Sequence, residues 1–223
     1  MPSKAQTRIF EVTTRDLEGL PDSRGDSIRS MLSSDHGIEV GSVRVILGYQ
    51  VMADISDTEA ESLVYDLFAD PVIEVGSSES RLLDVFPIAP DAAIQVGYKP
   101  GVTDNPGQAG LDGLTTLYPA HECAMVATFR TYAFWGVPEG ISPEDLASSL
   151  HNPMIERASV SGREDCSRGN WPTLDFPSRQ AASFPEPSTV APDAPAQELT
   201  RISEKGLLAL HLDELKPITA PHK

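Results

Sequence analysis

Two distant motifs recur in this chain at the same spacing, and this internal repeat constrains the fold more than any other feature. Asp22-Ser23-Arg24-Gly25 returns as Asp104-Asn105-Pro106-Gly107, an offset of 82 residues (104 − 22). Asp70-Pro71-Val72-Ile73-Glu74 returns as Asn152-Pro153-Met154-Ile155-Glu156 at the same offset (152 − 70). Because two landmarks far apart keep one register, the sequence predicts two copies of one folding unit.

The first copy is predicted to have the order β-α-β-α-β. Residues 8–14 are rich in β-branched side chains, which is typical of a strand, and the apolar residues Ile28, Met31 and Leu32 then recur at helical spacing. A long strand begins at Val43. Ser56-Asp57-Thr58-Glu59 is a capping box, which predicts the start of the second helix.

The second copy has the same order with one local shift. Residues 93–98 and 125–135 predict its first two strands, and Ser142-Pro143-Glu144-Asp145 predicts a helix start with a capping serine and a proline in the first turn. Ser142 lies 86 residues after Ser56, four more than the offset of 82, whereas Asn152 lies 82 residues after Asp70 and is in register again. The second helix of this copy is therefore expected to be short.

These patterns predict an α+β protein with antiparallel sheets. The two units span residues 8–80 and 92–161, and we expect their sheets to pack together with pseudo-two-fold symmetry, as in a dimer made within one chain. Prolines punctuate residues 162–200, which are poor in aliphatic side chains and are predicted to be an extended linker. A final apolar segment, 201–223, follows the linker.

The charge of the chain argues against nucleic acid as a partner. Asp and Glu number 33 against 17 Lys and Arg, a formal net charge of −16, and the basic residues form no cluster that would attract a phosphate backbone. The N-terminal residues lack the apolar core of a signal peptide, and no apolar run approaches the roughly 20 residues of a membrane helix. We therefore expect a cytoplasmic protein without a membrane contact.

Catalytic, metal and cofactor motifs are not found in the sequence. Gly107-Gln108-Ala109-Gly110 lacks the Lys-Ser/Thr that completes a phosphate loop. A strand would send the middle residue of His121-Glu122-Cys123 to the opposite face from its neighbours, so the three cannot share one metal ion. We therefore predict no catalytic residue, no metal ligand and no cofactor site in this chain.

A family resemblance is carried by the second copy. Val96-Gly97-Tyr98-Lys99-Pro100-Gly101-Val102-Thr103-Asp104-Asn105-Pro106-Gly107 resembles the strand–turn–helix signature of PurS, the small subunit of phosphoribosylformylglycinamidine synthase. Asn152-Pro153-Met154-Ile155-Glu156 resembles the ending of the same family. The first copy is similar at Asp70–Glu74 but lacks the Lys-Pro of the signature near residue 22. Residues 202–216 resemble the linker that leads into the synthetase domain of long, single-chain synthases.

The resemblance implies a non-catalytic assembly module for purine biosynthesis. Its partners would be the synthetase and glutaminase parts of the same enzyme, a cytoplasmic ligase that uses ATP and glutamine to amidate formylglycinamide ribonucleotide. ATP and Mg²⁺ would bind only in the partner synthetase domain. The resemblance also implies that residues 201–223 are the truncated start of the linker domain, with the catalytic part of the enzyme lying elsewhere.

Two segments are the expected docking surfaces for these partners. The first is the exposed turn from Lys99 to Gln108, with Lys99, Pro100, Asp104, Asn105 and Gly107 as its candidate contact residues. The second is the tail, with Leu207, Leu210, Leu212 and Leu215. For both, a purely structural role is the alternative: the turn only starts a helix, and the tail only covers a core.

The rival hypothesis comes from another functional class. A free-standing, ferredoxin-like regulatory or ligand-sensing module would have the same order of elements, and a fold alone does not fix function. Such a module would bind a small molecule between its two repeats, in an apolar pocket with a few convergent polar groups.

Overall fold

The structure, a computed structural model, describes residues 6–15, 22–119, 121 and 124–177. All of them lie in the first of the two units into which the chain divides, Met1–Arg179 and Gln180–Lys223. Within these residues the elements in chain order are β1 Gln6–Thr14, α1 Ser23–His36, β2 Ser42–Ala53, α2 Asp57–Leu63, β3 Glu74–Ser77, β4 Ala92–Tyr98, α3 Asn105–Leu117, β5 Met125–Trp135, α4 Pro143–Leu150, β6 Glu156–Gly162 and α5 Arg163–Ser167. Helix α2 continues into a π-helical turn, Val64–Phe68, and a 3₁₀ turn, Leu82–Val85, precedes β4.

The six strands form one antiparallel sheet in the order β3-β1-β2-β5-β4-β6. The order is symmetric, because β1, β2 and β3 occupy the same relative places as β4, β5 and β6. Residues of β2 and β5 that correspond in the repeat lie 83 positions apart, and Leu47 pairs directly with its own counterpart Arg130 (130 − 47). A pseudo-two-fold axis therefore passes through the sheet between these two residues.

The prediction of an α+β fold with antiparallel strands is confirmed, but the way in which the halves join differs from the prediction. We expected two packed sheets, whereas β2 and β5 pair along their lengths, from Ser42 with Trp135 to Met52 with Met125, and make one sheet. The physical reason is that both long strands would otherwise be edge strands. Pairing them satisfies two rows of backbone hydrogen-bonding groups.

One face of the sheet carries α1, α2, α3 and α4 over two apolar clusters. The first cluster contains Phe10 and Val12 of β1, with α2 and with Leu114 of α3. The second contains Ile94 and Val96 of β4, with α4 and with Leu32 of α1. In each cluster the first helix of one half packs with strands of the other half. Neither half therefore has a complete core of its own.

The opposite face is covered by two connecting segments. Leu82 and Leu83, from the connector between the halves, pack with Cys166 of α5 against Ile46 and Ala133 of the sheet. The connector is held by Glu11, which is 1% exposed: its carboxylate accepts from Arg81 Nε at 2.6 Å and from the Leu82 N–H at 2.6 Å. Since a buried carboxylate must be paired, this contact fixes the connector to β1.

Residues 163–177 form the second covering segment. Gln50 Nε2 donates to the carbonyl of Leu174 at 2.7 Å, and Ser161 Oγ donates to that of Asn170 at 2.8 Å. The indole N–H of Trp171 donates to Asp84 at 2.6 Å. This part of the interval assigned to the proline-rich linker thus packs on the sheet, while residues 178–200 and the final segment 201–223 lie outside the described residues.

The helix starts that the sequence predicts are confirmed. Ser56 and Ser142 both cap their helices in complete capping boxes. The side chains of Glu59 and Asp145 in turn accept a hydrogen bond from the backbone N–H of Ser56 and Ser142, respectively. In each box the hydrogen bond from the serine lowers the pKa of its own acid: Ser56 acts on Glu59, and Ser142 acts on Asp145. Helix α4 is short, as expected, with 8 residues.

We expect the repeated glycine of the first helix to be essential for packing. A Cβ atom at Gly25 would lie 1.9 Å from the carbonyl oxygen of Val43, a backbone atom that cannot move aside. Gly25→Ala should therefore destabilise the protein by about 2–4 kcal/mol in denaturant unfolding. Gly110→Ala is the matched control: its Cβ would make only ordinary contacts, the nearest at 3.4 Å, and the helix should gain up to about 1 kcal/mol. Equal stabilities would contradict the packing argument.

Candidate functional site

The repeated motif Asx-Pro-x-Ile-Glu forms the same turn in both halves. Glu74 accepts from the Asp70 N–H at 2.9 Å, and Asp70 accepts from the N–H two residues further on at 2.8 Å. In the second half, Glu156 accepts from the Asn152 N–H at 2.8 Å, and Asn152 accepts from the N–H two residues further on at 3.0 Å. These bonds explain why the first and last positions of the motif recur in the sequence.

Both glutamates of the motif are buried and paired with arginine. Glu74, 7% exposed, lies 2.6 Å from Arg24 of α1, and Glu156, 8% exposed, pairs with Arg130 of β5. The halves therefore balance the same buried charge with arginines from different elements. Sequence reasoning recovered the glutamates from the repeat but not their partners, because the two arginines do not occupy equivalent positions.

The turn predicted as a docking surface is joined to this motif. Lys99 donates through Nζ to the carbonyl of Pro153, and its backbone N–H donates to the carbonyl of Ile155 at 2.9 Å. Arg15 makes the equivalent bonds in the first half, to the carbonyls of Pro71 at 3.1 Å and Ile73 at 2.8 Å. In each half, the residue that follows the first strand is thus bonded to the Asx-Pro motif, so the strand end and the motif form one surface.

Apolar side chains project from these two surfaces. Met154 is 81% exposed and its counterpart Val72 is 72% exposed, and the isoleucines that follow them, Ile155 and Ile73, are also exposed. Large apolar side chains held outward on hydrogen-bonded turns are typical of contact residues. The structure thus presents two such pairs, related by the pseudo-two-fold axis.

Asp104 organises the start of the turn's helix. Its Oδ1 accepts from the Gly107 N–H at 2.7 Å and so caps α3, while its Oδ2 accepts from the Thr128 N–H at 2.6 Å where β4 has left the sheet. The Thr128 hydroxyl lies 2.9 Å from Oδ1. In the first half, Asp22 lies 3.4 Å from the Val45 N–H at the corresponding place. The recurring aspartate therefore extends the hydrogen bonding of the sheet beyond its first strand.

Two clefts lie at equivalent places in the repeat. The cleft of the second half, which we call the second cleft, has a volume of about 480 Å³. It is bordered by Lys99, Asp104, Asn105, Gln108, Leu111, Val126 and Phe176 among others. The cleft of the first half, which we call the first cleft, has a volume of about 700 Å³. It is bordered by Asp22, Asp26, Arg29, Val43, Arg44, Phe86, Pro87, Ile88 and Trp135 among others. Asp22, Asp26 and Arg29 correspond to Asp104, Gln108 and Leu111 at the offset of 82. Each half thus has a cleft between its first helix and the start of its long strand.

The predicted docking residues fall into three groups. Lys99 and Asn105 are exposed and border the second cleft, with the half-buried Asp104 beside them. Pro100 is exposed in the same turn, whereas Gly107 is buried against the carbonyl of Val126 and has a packing role. The tail residues Leu207, Leu210, Leu212 and Leu215 lie outside the described residues.

The segments that follow the two halves were missed as part of the repeat. Leu83-Asp84-Val85-Phe86-Pro87 follows the first half and Leu174-Asp175-Phe176-Pro177 the second. Phe86 and Pro87 border the first cleft, and Phe176 and Pro177 border the second. The shared Leu-Asp and Phe-Pro pairs were the available signal, but they recur at offsets of 91 (174 − 83) and 90 (176 − 86) instead of 82.

Cys166 of α5 is buried against the sheet. Burial raises the pKa of the Cys166 thiol to about 11, the opposite of what a nucleophilic cysteine requires. Among the described residues no group of three His, Cys, Asp or Glu side chains could hold a metal ion, and no helix is both long and apolar enough to cross a membrane. His121 lies 3.7 Å from Glu59, while Glu122 and Cys123 lie outside the described residues.

Comparison with known proteins gives no assignment. No protein-family model matches the chain, and no curated protein matches it at a significant level.

We expect Asp104 to stabilise the turn measurably. Asp104→Ala removes the helix cap and leaves the Thr128 N–H without its acceptor, so the free energy of unfolding should fall by about 2 kcal/mol. Asp112→Ala, an exposed carboxylate on the same helix, is the control and should change it by less than about 0.5 kcal/mol. A loss no larger than that of the control would show that Asp104 does not organise the turn.

Two tyrosines related by the repeat should titrate late. Burial is the main cause that raises the pKa of Tyr49 and of Tyr132. A nearby glutamate also raises each pKa, and a nearby arginine lowers it in part. Because their pKa is higher in the folded than in the unfolded state, the stability they contribute is complete below the ordinary value of 10.0 and is lost as the pH rises through the raised values. In a pH titration followed by tyrosinate absorbance, Tyr49→Phe and Tyr132→Phe should each lack a late component that the parent protein shows.

Proposed function

We propose that this chain is a non-catalytic assembly module of phosphoribosylformylglycinamidine synthase, which holds the glutaminase and synthetase parts of that enzyme together. The single observation that carries the proposal is the turn from Lys99 to Gln108 with the motif from Asn152 to Glu156. These are the two stretches whose sequences resemble PurS, and Lys99 joins them through its bonds to Pro153 and Ile155. A signature built around contact residues is expected to form one surface.

The symmetry of the sheet supports the same proposal. In the resembling family, a duplicated unit stands in for a dimer of the small subunit. Here β2 and β5 pair as strands pair across the interface of a two-fold dimer, with Leu47 opposite Arg130 at the axis. The finer assignment of each half to a PurS-like unit is part of the proposal.

The exposed apolar pairs suggest how such a module would bind. Met154 and Ile155 in one half, and Val72 and Ile73 in the other, lie on turns whose backbones are fixed by buried glutamates. Rigid presentation lowers the entropy cost of association, because few side-chain and backbone freedoms are lost on binding. Two related contact points suit a module that must hold two partners, the synthetase and the glutaminase.

Reconstitution tests the proposal directly. A synthetase polypeptide of this family, stripped of its own N-terminal region, is mixed with its glutaminase, and glutamine-dependent ATP hydrolysis is measured with and without this chain. We expect the chain to restore turnover. Met154→Glu should raise the concentration of chain needed for half-maximal turnover by about tenfold or more, because a charge replaces a central apolar contact.

Val85→Glu is the matched control, since Val85 is 65% exposed but lies on the connector, away from the motif. It should leave the half-maximal concentration unchanged. If the folded chain neither restores turnover nor cosediments with either partner, the assembly role is wrong. Equal effects of the two substitutions would place the docking surface elsewhere.

A further inference from the structure

The first cleft differs from the second in the chemistry of equivalent positions. Asp26 and Arg29 of the first cleft correspond to Gln108 and Leu111 of the second, at an offset of 82. Arg44 corresponds to Ala127 at the offset of 83 that relates β2 to β5. The backbone is therefore similar at the two places, but only the first cleft has guanidinium groups on its polar wall, where they stand beside Asp22 and Asp26.

The apolar wall of the first cleft contains two aromatic rings, Phe86 and Trp135, that contact each other. The indole N–H of Trp135 donates to the carbonyl of Ile88 at 3.0 Å, and the ring of Phe86 meets the indole edge-on at a centroid distance of 5.2 Å. Ile88 is 70% exposed although it lies beside these rings. Because the two ring planes stand at 83° to each other, an aromatic ligand can stack on one ring while it meets the other edge to face.

The polar wall places a donor beside an acceptor. Asp26 Oδ1 and Arg29 Nη2, one helical turn apart on α1, lie 3.4 Å apart with about half of each side chain exposed. An ion pair this exposed contributes little to stability, so both groups remain able to bond a ligand. Deeper in the cleft, Asp22 and Arg44 lie 3.6 Å apart. The two aspartates and two arginines together carry no net charge.

We propose that the first cleft binds a neutral, planar heteroaromatic molecule of the nucleobase or nucleoside class. The ring lies against Phe86, Pro87 and Trp135, and its hydrogen-bonding edge meets Asp26 and Arg29. Such an edge carries a donor next to an acceptor, which matches a carboxylate next to a guanidinium. The volume of about 700 Å³ lies within the usual range of small-molecule sites. This proposal does not depend on the assembly role.

The test uses the full chain with adenosine, inosine and uridine as probes. Binding is measured by calorimetry, and the indole N–H signals of Trp135 and Trp171 are followed by NMR. We expect saturable binding of at least one nucleoside, with a shift of the Trp135 signal and none of the Trp171 signal, whose indole bonds to Asp84 outside the cleft. Asp26→Ala and Arg29→Ala, both on an exposed helix surface, should each weaken binding by about tenfold.

Gln108→Ala is the matched control, because Gln108 holds the place of Asp26 in the second cleft. It should leave the affinity unchanged, and thermal unfolding of each variant shows that the fold is intact. Failure of all three nucleosides to bind at millimolar concentration would overturn the proposal, as would binding that is indifferent to Asp26→Ala and Arg29→Ala. Benzoate binding as tightly as the nucleosides would show instead that the cleft selects an aromatic anion.

Discussion

The pairing of β2 with β5 is the interaction on which the rest of this structure depends. It runs from Ser42 opposite Trp135 to Met52 opposite Met125 and makes a six-stranded sheet from two three-stranded halves. Once the strands are paired, helices from different halves lie side by side: α1 with α4 over one cluster, and α2 with α3 over the other. Since apolar burial is the main source of stability, the halves stabilise each other rather than themselves.

The buried charges are a second constraint, and they fix the places where function is proposed. Glu11 ties the connector to the sheet, and Glu74 and Glu156 each close an Asx-Pro turn. A buried carboxylate is costly unless it is paired and hydrogen-bonded, so each of these residues fixes the loop around it. The turns that carry the outward Val72 and Met154 are fixed for this reason, and so is the start of the connector at Leu82.

The repeat made a large part of the fold predictable. The strands Ala92–Tyr98 and Met125–Trp135 agree with the predicted ranges to within one residue, and both capping boxes start helices as expected. Local signals suffice here because a capping box or an alternating strand is decided by neighbours in sequence. The repeat also singled out Asp104, Asp22 and the two glutamates, although not the bonds that they make. The turn at Lys99 was predicted as a docking surface, and that role remains a prediction.

The repeat and its local signals predicted two copies of a β-α-β-α-β unit, the residues at which their helices begin, and the aspartates and glutamates that recur. Only the tertiary structure decided that the copies share one sheet, that Arg24 and Arg130 neutralise equivalent glutamates from different elements, and that Phe86 and Phe176 border equivalent clefts. The physical reason is distance along the chain. Caps and strand alternation involve residues a few positions apart. Edge pairing, buried charge pairs and cleft walls join residues from 14 (125 − 111) to 113 (135 − 22) positions apart, so they depend on which surfaces meet when the cores close.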